Sequence, residues 1–310
     1  MSMRYPAGFI SAFYNPLKNP DAPTIGTATA GSGSISVAFT APSNVGGSAI
    51  TSYIATAKRT SDGVLFTASG ASSPISVTGL TEVAFTATVV AVNSYGPSAS
   101  SAASNSATPL PTIGSALGGG FFAGQISTTG NSVATHNLVI GPKASAQSSS
   151  ITYKNVATAT AGADSLINGP QNTADIVADG NSTVYPAGHF CNDLVIGGFS
   201  DWYLPAKNEL EVCYFNLKPS TGSNSSYSTS GINANAVPAR ASIYTTGTPA
   251  QTSATDFQTG GTEAFSATAY WSSSEESATR AWDQYFNNGK QMNEVKYGVY
   301  PARAVRRIAV

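Results

Sequence analysis

The sequence predicts a β-rich chain of two domains. At 310 residues it is longer than one ordinary hydrophobic core serves. Its apolar fraction of 41% is spread thinly, with Ala and Val alternating with Thr and Ser, which favours short strands over long helices. Turn residues punctuate the first third at strand-sized intervals, at Pro42, Gly46-Gly47 and Asp62-Gly63.

Charged residues make up 10% of the chain and the net charge is -1. That leaves no basic field for a nucleic-acid backbone and no polybasic patch for anionic lipid. No apolar run approaches the length of a membrane span, and residues 1–6 lack the apolar core of a signal peptide. A soluble chain without membrane insertion or export signal is therefore expected. Two cysteines, Cys191 and Cys213, make neither a disulfide framework nor a zinc site, and whether they pair stays open.

Residues 1–20 form an N-terminal arm rich in Pro and aromatic residues but without helical or strand period. An exposed arm is not normally so apolar. One reading is a docking arm that buries Tyr5, Phe9, Phe13 and Tyr14 against another subunit; the other is a strap on the chain's own domain.

Residues 21–109 carry short alternating runs, such as 34–39 and 50–57, at the spacing of a β-sandwich. The residues that fill this spacing include Pro23, Phe39 with Ala41-Pro42, and the stretches 46–53, 73–80 and 89–98. Together they resemble a fibronectin type III domain, an immunoglobulin-like sandwich. Phe39 stands where such domains usually have Trp, and Phe85 stands where a corner Tyr would add one hydrogen bond of roughly 1 kcal/mol. The resemblance implies a spacer or adhesive module without chemistry. Residues 98–106 read as its last strand, followed by a stiff Pro109-Leu110-Pro111 linker.

The second domain spans 112–310. Gly118-Gly119-Gly120 lacks the spacing of a phosphate loop and reads as a turn through which backbone passes closely. Residues 137–143 look like a strand. Helical signal appears in two places: at 172–177, and after Trp202-Tyr203-Leu204, where Pro205 opens a helix with Leu210, Cys213, Tyr214 and Leu217 at helical spacing. Residues 220–262 are a long Ser/Thr/Asn/Gly stretch, which in a compact domain is either ordered by packing or functional.

Gly197 to Leu210, with Asp201-Trp202-Tyr203-Leu204-Pro205 at its centre, is followed by Tyr270-Trp271-Ser272-Ser273-Ser274-Glu275 and Ala302-Arg303-Ala304-Val305-Arg306. In combination and order these motifs resemble the DUF1566 family, which is similar to C-type-lectin-like and sulfatase-modifying-factor folds. The resemblance covers about 112–310 and implies an α+β, C-type-lectin-like domain of the kind used in bacterial adhesins and bacteriophage surface proteins. A fibronectin-type sandwich ahead of such a head resembles phage tail-fibre or virion decoration proteins. That implies a virion location after assembly in the host cytoplasm and a homo-oligomer. The implied partners are other virion structural proteins, through the arm, and a host-surface glycan or protein.

Little in the chain suggests catalysis. His136 and His189 stand beside no Ser or Cys in a nucleophile setting. Glu209 and Glu211, two apart on a helix, do not share a face, and the adjacent Glu275-Glu276 at a strand end point apart. Relatives that modify sulfatases use a C-terminal cysteine pair, and no Cys follows Cys213. The sugar-and-calcium motifs of C-type lectins are reduced to Trp282-Asp283. No enzyme activity, cofactor or metal is expected, although a calcium ion on scattered Asp and Asn oxygens stays open.

Ten of the charged residues fall between Glu275 and Arg307. Within this region Trp282, Gln284 and Phe286 alternate with Asp283, Tyr285 and Asn287. Burial of Trp282 and Phe286 would turn Asp283, Tyr285 and Asn287 outward. Asn287-Asn288-Gly289 is a turn signal that starts a return through Lys290, Gln291 and Asn293. With Tyr297 and Tyr300 as neighbours, these residues give stacking surface and adaptable hydrogen bonds, so they form the expected ligand-binding face. Two rival readings keep the same fold: a structural component making only subunit contacts, and a retroelement-diversified variable protein. Arg303 and Arg306 are expected to tie the last strand to carboxylates such as Glu275 or Glu209.

Overall fold

Alternation in the first third becomes seven strands in the computed structural model, which describes residues 17–310. The arm residues Tyr5, Phe9, Phe13 and Tyr14 lie outside the described residues. The strands are β1 (Thr24–Gly31), β2 (Ser34–Thr40), β3 (Ser52–Arg59), β4 (Leu65–Gly70), β5 (Ile75–Thr78), β6 (Phe85–Asn93) and β7 (Gly96–Pro97). One antiparallel sheet has the order β1-β2-β5, the other β4-β3-β6-β7. Every second residue of β6 turns inward, so Phe85, Ala87, Val89 and Ala91 bury with Ile35, Val37 and Val77 of the other sheet. Three strands on four is an immunoglobulin-like sandwich. Phe39 is a core residue whose ring lies 4.7 Å from that of Tyr53.

Residues 98–106 are not the regular strand expected. The amides of Ser98, Ser101 and Ser104 donate to the carbonyls of Ala91, Val89 and Ala87. Their hydroxyls accept in return from the amides of those same residues at 3.0, 2.9 and 2.9 Å. Three residues here match two on β6, a ratio that a backbone ladder cannot hold, and the serine hydroxyls serve as the missing acceptors.

A division between Thr112 and Ile113 separates this unit from the second. The second unit opens with β8 (Ala116–Leu117), β9 (Gly120–Ile126), β10 (His136–Ile140), α1 (Lys143–Ala146) and β11 (Gln147–Thr152). Helices α2 (Gly169–Asp179), α3 (Pro186–Asn192) and α4 (Lys207–Leu217) follow. The remainder is β12 (Ala236–Val237), β13 (Ala269–Glu275), β14 (Arg280–Tyr285), β15 (Gln291–Val295), β16 (Val299–Arg303) and β17 (Val305–Ala309). Strand outweighs helix among the described residues, 35% to 12%, as a β-rich class requires. The sheets run β12-β9-β10-β17 with β8 beside β9, β11-β16, and β13-β14-β15. Helices α1 and α3 escaped the sequence reading because four and seven residues are too few to show a period. Among the described residues no helix is long and apolar enough to cross a membrane.

Helix α4 is the centre of this unit. Leu210, Cys213, Tyr214 and Leu217 recur on one face and bury against Ile126, Leu138, Tyr270 and Phe286. Ala206 has no side chain to cap the first turn, and Glu209 Oε2 accepts its amide at 2.8 Å instead. At the triple glycine, Gly119 adopts φ +83°, and a Cβ there would lie 2.9 Å from the Ile196 carbonyl. Cys191 and Cys213 are unpaired, buried in different clusters, and burial pushes both thiols up.

The terminal arginines are scaffold, with partners other than those expected. Arg303 is fully buried; it pairs with Glu263 and donates to the carbonyls of Gly141 and Glu263 at 2.8 and 2.7 Å. Arg306 forms a fork on Asp201 at 2.8 and 2.9 Å. Glu209 pairs with Arg307, and Glu275 pairs with Lys296 at 2.7 Å. Sequence distance hides such choices: Asp201 lies about a hundred residues before Arg306, and Glu263 carries no motif of its own. Removing one partner of a buried pair strands the other, so Arg303→Ala should lower stability by about 3–5 kcal/mol. Urea unfolding followed by tryptophan emission measures it.

Candidate functional site

The three-stranded sheet sets the geometry of the C-terminal hairpin. In the β14–β15 ladder Trp282 faces Asn293, Asp283 faces Met292, and Gln284 faces Gln291. Trp282, Gln284 and Phe286 share the face toward α4, where Phe286 meets Tyr214 edge-on at 5.5 Å. The other face carries Asp283 and its β13 register partner Trp271, whose ring meets Tyr300 of β16 edge-on at 5.2 Å. The sheet is thus covered on both sides, and one-sided alternation fails.

This corrects the expected exposure pattern. Phe286 is buried as expected, but Trp282 is only partly buried, whereas Asp283 is 1% exposed and does not face out. Neither Asp283 carboxylate oxygen has a hydrogen-bond partner. Burial first, and the Glu294 charge second, push its carboxyl up to about 8, against weaker opposing pulls from the backbone amides of Asp283 and Met292 and then from Lys290. Tyr285 is partly buried on the same side and donates to Glu294 at 3.3 Å. Tyr300 is also partly buried there, while Tyr297 is exposed. Asn287 and Asn288 form the hairpin tip with Gly289 at φ +75°, and Asn288 Oδ1 accepts the Lys290 amide at 3.1 Å. Gln291 is not a surface residue either: it is 4% exposed. The nine expected residues therefore do not form one surface.

Two of them do meet, with partners that the sequence reading left aside. Gln291 and Asn293 line a recess of about 160 Å³ together with Trp282, Met292, Tyr227 and Ser228. Both amide atoms of Gln291 lack a partner, and so do both of the neighbouring Gln284, itself 1% exposed. Buried amide atoms left unbonded cost about 1–3 kcal/mol each. Lys290 Nζ sits 4.2 Å from the centre of the Tyr227 ring, and Lys207 Nζ sits 4.2 Å from that of Trp282. The Gln291 amide donates to Ser230 Oγ at 3.1 Å, which holds residues 227–230 against β15. Tyr227 offered no sequence signal, since in the 220–262 stretch it reads like Tyr244 and Phe257, both of which are buried.

Two roomier depressions have less to offer a ligand. One, about 350 Å³, is lined by Phe215, Arg240, Ile243 and Tyr244 among others, and its Arg240 is paired with Glu211. The other, about 300 Å³, holds Thr128, Ile167, Asn168 and Arg307, with Arg307 paired to Glu209. Titratable groups elsewhere are also occupied. His136 Nδ1 lies 2.9 Å from Thr135 Oγ1 and His189 Nε2 lies 2.7 Å from the Gly180 carbonyl. Among the described residues no group of three or more His, Cys, Asp or Glu side chains is placed to hold a metal ion.

Residues 156–306 match the family described as the Lcl C-terminal domain. The Lcl-type segment contains α2 to α4, the whole three-stranded sheet and every residue that lines the recess. It lies inside the span where the motifs resemble DUF1566. Among solved structures the chain is similar to titin kinase with its flanking domains, at 23% identity over 29% of this chain and 17% of that one, with a TM-score of 0.26. A human FNIII domain matches at 20% identity over 36% and 94%, TM-score 0.27. The FN5 domain of Drosophila Lar matches at 26% over 27% and 90%, TM-score 0.23. The chain thus spans about a sixth of the titin kinase structure. No curated protein matches it.

Proposed function

We propose that the chain is a non-catalytic recognition protein of a bacteriophage virion, a tail fibre or decoration protein, whose Lcl-type head binds a host-surface glycan. In this reading Tyr5, Phe9, Phe13 and Tyr14 of the arm dock onto other virion proteins, the sandwich is a spacer, and the assembled form is a homo-oligomer. The order of modules supports it: an immunoglobulin-like sandwich ahead of an Lcl-type segment.

The observation that carries the recognition role is the recess, in which a partly exposed Trp282 adjoins the partly exposed Asn293. Aromatic surface beside an amide donor and acceptor suits a hydroxyl-rich ligand with an apolar ring face. A glycan is favoured as the occupant because a recess of about 160 Å³ suits a small ring-shaped group. On a glycan array, the full chain should bind a subset of glycans, and Trp282→Ala should weaken that binding about 10- to 100-fold with unchanged circular dichroism. Equal binding by the variant would remove the recess from the account.

A further inference from the structure

Resting on that reading, we infer that the recess takes one neutral pyranose ring without a bridging cation, its apolar face on Trp282 and two neighbouring hydroxyls on the Asn293 amide. Size limits the occupant first. Drug-sized ligands fill about 300–1,000 Å³, and the 160 Å³ here suits a single sugar ring.

Polar complementarity limits it next. Asn293 stands beside Trp282 on the same face as its register partner, partly exposed and lining the recess. Its amide carries a carbonyl oxygen and a nitrogen side by side, so one hydroxyl can donate to the first while its neighbour accepts from the second.

Charge then decides between neutral and ionic rings. None of the six lining side chains is ionisable within the physiological range: Tyr227, Ser228, Trp282, Gln291, Met292 and Asn293. The two nearest ammonium groups, Lys207 and Lys290, already lie over the Trp282 and Tyr227 rings. An acidic sugar would find no guanidinium in the lining, and a cation bridging ring hydroxyls would find no carboxylate there.

Tryptophan emission tests this on the full chain. Trp202 and Trp271 are 2% and 0% exposed, and Trp282 is partly exposed, so emission quenched by acrylamide reports Trp282. Methyl glucoside, galactoside and mannoside are titrated in the presence of EDTA, with glucuronic acid and adenosine as comparison probes. At least one neutral hexoside should shield Trp282 with a dissociation constant of about 1 mM. Asn293→Ala should weaken shielding at least fivefold, while Tyr285→Ala on the opposite face leaves it unchanged.

Shielding by glucuronic acid but not by neutral hexosides overturns the neutral ring and leaves glycan recognition standing. Shielding by adenosine alone overturns both. No shielding by any probe, together with glycan-array binding that still depends on Trp282, overturns the single-ring assignment and keeps the recess as the glycan site.

Discussion

Asp283→Asn is expected to raise stability at pH 8 and to flatten its dependence on pH. Asp283 is buried, and its carboxyl oxygens have no hydrogen-bond partner, so the folded chain holds its proton up to about pH 8. An unfolded chain releases it near pH 4. Between these values the folded state binds the extra proton, and the contribution of this group to stability falls as pH rises. It is fully present below about pH 4 and gone above about pH 8, a change on the order of 5 kcal/mol. The groups that set it are Glu294 and Lys290 on the return side of the hairpin and Tyr285 and Tyr300 nearby; Trp271, the β13 neighbour, brings no charge. Asn keeps the shape and carries no proton to lose. Thermal melts of both proteins at pH 5 and pH 8 should converge at the lower pH and separate at the higher. Parallel curves would show that Asp283 is hydrated and ordinary.

Glu211→Ala should be the most damaging single change to the long 220–262 segment. This fully buried carboxylate accepts from Asn233 Nδ2 and the Tyr244 hydroxyl, both at 2.5 Å, and pairs with Arg240. Three separate points of the segment thus converge on one residue of α4. Its loss leaves a guanidinium and a phenol without their carboxylate and the Asn233 amide with only the Asn208 carbonyl, at about 3–5 kcal/mol, or roughly 10 °C in melting temperature for a unit of this size. Limited proteolysis should then cut within 233–244 before anywhere else. Glu211→Gln, which keeps one acceptor, should recover part of the loss. A melting temperature within 2 °C of the parent (small on the scale of about 2–4 °C per kcal/mol) would mean that the segment is held by its backbone alone.

How much of this was legible depended on the range of the interaction. Strand alternation in 34–39 and the i, i+3, i+4, i+7 row from Leu210 to Leu217 are local, and both elements formed where the residues placed them. The serine ladder at 98, 101 and 104 has an equally plain spacing, but its meaning depends on amides of β6 that alternation cannot reveal. The hairpin failed in a more telling way. Its turn at Gly289 was readable, yet the faces were not, because β16 covers the side that a lone hairpin would give to water. Trp282 and Asp283 consequently exchange the roles expected of them. Tyr227 and Ser228 reach the recess across more than fifty residues of chain, and no short pattern marks that meeting.

Whether recognition occurs at the recess or on the opposite face of the hairpin is tested most directly by a glycan array probed with two double variants of the full chain. Trp282→Ala with Asn293→Ala removes the ring support and the partly exposed amide of the recess; Tyr285→Ala with Tyr297→Ala strips the tyrosines elsewhere on the hairpin region. Loss of glycan binding in the first variant and retention in the second is the predicted result. Retention in the first and loss in the second would contradict it.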